Sequence, residues 1–156
     1  PVLAAGGIGN GRQVAAALAL GAQGVWMGSA WLTTEEAETH PVVKEKFLRA
    51  SSSDTIRSRS LTGKPARMLR SGWTEAWEDP SNPRPLPMPL QPRLVREAQA
   101  RIARSAHKNP GAAELSNYFV GQIVGSMKHV KSVRSVMEEL AQEYADTMER
   151  LDEWAK

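Results

Sequence analysis

The chain has 156 residues, 41% of them apolar and 24% charged, with a formal net charge of +3 and a pI near 9.5. This is the balance of a soluble globular protein with a weak preference for anionic ligands. The absence of cysteine excludes a disulfide framework and a thiolate metal site and fits a reducing cytoplasm. The longest apolar stretch, Val14 to Leu20, is far too short to span a bilayer, so no membrane partner is expected.

Val2, Leu3, Ala4 and Ala5 form a continuous apolar run that stops at Gly6-Gly7, the pattern of a parallel strand covered on both faces. Asn10 is a good N-cap, Arg12 to Leu20 holds no helix breaker, and Gly21 is placed for a left-handed C-terminal turn. Gly24, Val25, Trp26 and Met27 make a second apolar run that closes on Gly28-Ser29. The unit reads as strand, crossover helix, strand, with the two strands parallel.

In such a unit the two carboxyl ends lie side by side, and here both carry glycines. Without a Cβ, backbone N–H groups approach an anion closely, and the helix beginning near Asn10 is expected to add its positive end. Ser29 contributes a hydroxyl. Gly6, Gly7, Gly28 and Ser29 therefore form a candidate phosphate cradle, the competing reading being that the glycines only make tight strand-to-helix turns.

These residues resemble the last two strands of the FMN-dependent (β/α)8 barrels of the nitronate monooxygenase group, formerly called 2-nitropropane dioxygenases. The matching pieces are AAGGI, the Gly-Arg-led helix with AALALGA, and GVWMGS. Glu36, His40-Pro41, Lys44, the run from Thr62 to Arg67, and Gly121-Gln122 with Gly125 extend the likeness. A flavin enoyl-acyl-carrier-protein reductase shares several of these pieces. The resemblance implies that Ala5, Gly6, Gly7, Gly28 and Ser29 bind FMN phosphate and that Gln122 lies near the cofactor. It also implies a small-molecule substrate, a nitronate or an acyl thioester. The family's catalytic histidine precedes the first strand seen here, so no catalytic residue is assigned.

A complete barrel of this type needs roughly 250 residues, whereas this chain has 156 and begins at Pro1 inside a strand-like run. The expected fold is α/β: the C-terminal portion of a TIM (β/α)8 barrel, its last two parallel strands, plus C-terminal helices. Residues 1–50 are assigned to the barrel, 51–110 to an irregular basic and Pro-rich insertion with one helix, and 111–156 to a Gly-Gln loop and a long helix.

Beyond Ser29, Trp31 and Leu32 are expected to pack under the next helix, and Thr33 or Thr34 to cap a short acidic turn at Glu35 to Ala37. A helix starts at His40-Pro41, where His40 reads as a cap rather than a general base. His40, His107 and His129 are scattered, so no metal site is expected. Arg57, Arg59, Lys64, Arg67 and Arg70 make the next segment basic, with an extended run from Thr55 to Leu61 and a turn at Gly63. They read as a solvated face paired with acidic neighbours, the other reading being a rim for a phosphorylated substrate such as an acyl-coenzyme A. No recognised nucleic-acid module accompanies them.

From Trp73 the chain is Trp- and Pro-rich, and Pro80 with five prolines from Pro83 to Pro92 predicts a long extended loop at the barrel mouth or strapped across it, with Trp73 and Trp77 as anchors. Leu94, Val95, Ala98 and Ile102 predict a helix from Arg93 to Ala106 that Asn109-Pro110-Gly111 ends. Val133 to Leu151 predicts a long amphipathic helix from Ser132 to Trp154, packed on the barrel or on a second copy, which makes it the candidate homo-oligomer contact.

The reading is an FMN-dependent oxidoreductase that oxidises alkyl nitronates with dioxygen to a carbonyl compound and nitrite. The alternatives are a flavin reductase of enoyl thioesters or coenzyme A esters using NAD(P)H, an IMP-dehydrogenase-like barrel, and a fragment that binds nothing.

Overall fold

A computed structural model describes residues 1–156. Strand β1 (Leu3–Ala5) pairs in parallel with β2 (Gly24–Trp26), Leu3 opposite Gly24 and Ala5 opposite Trp26. Helix α1 (Gly11–Ala19) is the crossover, and the Asn10 carboxamide oxygen caps it by accepting the Gln13 N–H at 2.9 Å. Gly21 turns the chain back at φ +98°, in the left-handed region where a Cβ would be strained. The sheet is less covered than its apolar sequence predicts. Leu3 is 48% exposed and Trp26 69%, because the sheet has only two strands and both outer edges are open.

The end of the chain covers one flank of this unit. Helix α6 (Val133–Trp154), with Ser132 as N-cap, packs along α1. The two helices touch backbone to backbone at Gly11, where an added Cβ would collide with the main chain of Leu140 and Tyr144. Glu143 Oε2 accepts the Gly11 N–H at 2.7 Å.

Between them lies a second body. Helix α2 (Pro41–Arg49) starts at His40, whose Nδ1 accepts the Val42 N–H at 3.3 Å, so the histidine caps as its position predicts. The hydrophobic core joins Val43, Phe47 and Ala50 of this helix to Leu69, Val120, Val124 and Met127, with Leu32 and Ile123 packed against it. Phe47 and Met68 have no solvent exposure. Each such side chain contributes on the order of 2 kcal/mol through removal from water, and the core draws no residue from the two parallel strands.

Residues 51–110 hold more regular structure than their composition predicts. Strands β3 (Thr55–Ser58) and β4 (Ala66–Leu69) form an antiparallel hairpin. Helix α3 (Gly72–Glu78) occupies the start of the expected loop, and a capping box at Ser71 and Thr74 explains it. Trp73 and Trp77, one turn apart, bring their ring centroids to 6.0 Å within this helix. Helix α4 (Leu90–Ser105) starts three residues before its predicted position.

Asn109-Pro110 opens helix α5 (Pro110–Leu115) instead of merely ending the previous one, since Asn is a favoured N-cap and Pro is favoured at the first helical position. The Pro-rich segment is strapped onto the hairpin: buried Gln91 donates to the Ser60 carbonyl at 2.8 Å and accepts the Leu86 N–H at 2.9 Å. The expected acidic turn forms as a single turn without helix, the Ala37 N–H donating to the Thr34 carbonyl at 3.2 Å. Glu36 accepts the N–H of Val133, at the amino end of α6, at 2.9 Å.

Two outcomes test this account. Gly11→Ala forces α1 and α6 apart, so it should destabilise the chain by about 2 kcal/mol or more, read as a lower midpoint of thermal unfolding. Asp54 accepts the Ser51 N–H at 2.7 Å and the Ser51 hydroxyl at 2.9 Å, and these bonds hold its carboxyl below the ordinary aspartate range. The unfolded chain therefore takes up the proton first. The contribution is fully present above the ordinary aspartate pKa and is lost as pH falls through the lowered value of the folded state. Amide-exchange protection at Ser51 should fall over that acid range, and Asp54→Asn should lower it already at neutral pH.

Candidate phosphate-binding site

The parallel register that places Ala5 opposite Trp26 sends Gly6-Gly7 and Gly28-Ser29 off the same end of the sheet, next to one another. Gly6 and Gly7 have φ of +90° and +75°, so each adopts a backbone that an L side chain resists. A Cβ built on Gly6, Gly7 or Gly28 meets no atom within 4 Å. The space between the tips is open. The N–H groups of these three glycines have no acceptor within the protein. Neighbouring exposed amides without an internal partner are the kind of donor set a phosphate requires.

Ser29 adds a fourth donor. Its Oγ accepts the Gly121 N–H at 2.8 Å, which leaves the hydroxyl proton free for a ligand. The same bond brings Gly121 and Gln122 to the strand tips across 92 positions of sequence. Gln122 begins the 3₁₀ turn Gln122–Ser126 and is exposed, and its amide makes no hydrogen bond within the protein. Gln122 is therefore neither buried nor bonded to loop backbone. Ile123 of that turn lies against Gly9, where a Cβ would approach it to 3.1 Å. The Gly6–Gly9 loop, Ser29 and Gly121–Ile123 thus meet around one open space.

The positive end of α1 is only partly available. Its Gly11 N–H is taken by Glu143 and its Gln13 N–H by Asn10, while the Arg12 N–H has no acceptor within the protein. Glu143 lies 132 residues away from Gly11, too far for local sequence to reveal the pairing.

The larger clefts lie elsewhere. One of about 550 Å³ is lined wholly by apolar residues of α1, β2 and α6 with Met27 and Trp31. Another of about 390 Å³ lies between α2 and α4 and contains His40 and the buried Asn117. Neither includes a cradle glycine, so the cradle is a shallow surface feature. No group of three or more metal-ligating side chains is assembled, and no helix is long and apolar enough to cross a membrane.

A parallel β–α–β unit with helices packed on it defines the class: a segment of an α/β barrel. The chain belongs to the nitronate monooxygenase family, whose model matches residues 1–143. Its fold is accordingly part of a TIM (β/α)8 barrel, with two of the parallel strands and the helices packed on them.

The chain is 64% identical over 153 residues to a Mycobacterium tuberculosis protein described as a monooxygenase, covering 97% of this chain and 40% of that protein. It is 38% identical over 143 residues to a Bacillus subtilis protein described as a probable nitronate monooxygenase, covering 92% and 40%. Among solved structures, a nitroalkane oxidase from Streptomyces ansochromogenes superposes with a TM-score of 0.82 at 30% identity, covering 97% of this chain and 41% of that one. FabK from Thermotoga maritima gives 0.74 at 33% identity, covering 99% and 47%. The chain spans about 40% of the length of these two curated relatives. The family is generally flavin-dependent.

Ser29→Ala removes one donor and frees Gly121. Inorganic phosphate affinity, read by calorimetric titration, should fall about tenfold or more, the size of one hydrogen bond to a charged group.

Proposed function

We propose that this chain supplies the phosphate-binding end of an FMN-dependent oxidoreductase acting on alkyl nitronates. The observation that carries the reading is the pair of adjacent strand tips with three unclaimed glycine amides and a serine hydroxyl left free to donate. Gly6, Gly7 and Gly28 would donate N–H groups to the terminal phosphate, Ser29 its O–H, and Ala5 fixes where the first tip leaves the sheet. Gln122, held at the rim by the Ser29–Gly121 bond, presents a free carboxamide to the flavin or its ribityl chain.

Bound FMN would supply the redox chemistry by which a nitronate and dioxygen give a carbonyl compound and nitrite. The residues here bind and orient. His40 caps α2, and no side chain at the tips serves as a base.

The test is titration of the full chain with FMN and with riboflavin. The cradle reading expects FMN to bind at least tenfold more tightly, and Gly28→Val, at a φ of −113° with open space around the added Cβ, to abolish that preference while leaving the fold intact. Equal affinity for the two flavins would overturn it. In FMN-loaded protein, anaerobic bleaching of the flavin by an alkyl nitronate supports the nitronate substrate. Bleaching by NAD(P)H alone replaces that substrate with an enoyl thioester or coenzyme A ester.

A further inference from the structure

The cleft beside the β3–β4 hairpin has a composition that the flavin reading does not use. Arg57 and Arg59, two residues apart, both line it, together with Pro65, Pro85 and Glu78. Arg57 also lies directly opposite Arg67 across the hairpin. Like charges facing one another on a sheet destabilise it unless something offsets them. The expected acidic neighbours do not do so. Arg67 donates to the Thr55 hydroxyl at 3.0 Å, and none of the three arginines takes part in any of the five ion pairs. Glu78 shares the cleft and is likewise unpaired.

The walls are fixed. Gly63 turns the hairpin at φ +78°, and a Cβ there would collide with the backbone from Leu86 to Met88. Gln91 ties Ser60 to Leu86. The Pro65 and Pro85 sides are therefore held together, and the ring of each is rigid. The cleft is open to solvent, and its volume of about 330 Å³ is at the lower end of the roughly 300–1,000 Å³ of small-molecule sites.

We propose that this cleft binds a nucleotide through its diphosphate and ribose, at a site that shares no residue with the flavin cradle. The guanidinium groups of Arg57 and Arg59 each take a phosphoryl group in the bidentate manner that a lysine could not reproduce. Pro65 and Pro85 offer flat apolar surface to the base. The Glu78 carboxylate repels further phosphate and accepts from ribose hydroxyls, so a nucleoside diphosphate fits the set better than inorganic phosphate does. A nicotinamide dinucleotide and a coenzyme A ester both present this adenosine diphosphate chemistry. The proposal stands apart from the flavin reading, and either can fail alone.

Calorimetric titration of the full chain with ADP, inorganic pyrophosphate, NADPH and coenzyme A tests it. ADP should bind more tightly than pyrophosphate, and its affinity should fall as salt rises. The double variant Arg57→Gln, Arg59→Gln should lose about tenfold or more in ADP affinity, with FMN uptake unchanged and the thermal midpoint equal or higher, because both arginines are exposed and Arg57 no longer repels Arg67. Glu78→Ala should weaken ADP and leave pyrophosphate unaffected. Tighter binding of NADPH or of coenzyme A than of ADP identifies the source of the nucleotide, and equal binding assigns the diphosphate and ribose as all that the cleft reads. ADP binding no tighter than pyrophosphate, or undiminished in the double variant, overturns the proposal.

Discussion

The Ser29 hydroxyl accepting the Gly121 N–H joins the two bodies of the molecule at the place where chemistry is expected. On one side is a two-stranded parallel unit too small to bury its own faces. On the other is a core built from α2, β4 and the 3₁₀ turn Gln122–Ser126. Because the hydroxyl accepts from within the protein, its proton is left to point outward. One side chain thus sets the relative position of two segments and still offers a donor at the strand tip.

The stabilising interactions and the site occupy different parts of the fold. Phe47 and Met68 are sealed from solvent, and the threonine and serine side chains near them find backbone or side-chain partners within a few residues. The cradle carries almost no packing. Its glycines have empty space where a side chain would be and no internal partner for their amides. Unsatisfied donors are tolerable at the surface, where water solvates them until an anion arrives.

Much of this was legible in the sequence, because the signals were local. Asn10, Gly21 and the alanine-rich stretch between them define α1 by capping and propensity alone. The glycines ending both apolar runs mark the tips, and His40-Pro41 announces α2 by the same logic. What escaped was of two kinds. Proline counts hid local capping: Ser71 and Asn109 start helices in a stretch whose composition argues for loop. Long-range pairing left no trace at all. Nothing near Gly11 foretells Glu143, and nothing near Ser29 foretells Gly121, since both partners meet only after the chain has folded back on itself. The arginines of the hairpin looked like ordinary surface charges because sequence gives no view of who faces whom across strands.

The closeness of α1 and α6 ties distant parts of the sequence together. The amide that begins the crossover helix is satisfied by a carboxylate 132 residues further on, and the amide that opens α6 is satisfied by Glu36. Loosening α6 therefore leaves the Gly11 N–H without its acceptor, so α1 and α6 are expected to open together as one cooperative unit. The hydrophobic core draws on residues from Val43 to Met127 and can stay closed while they do.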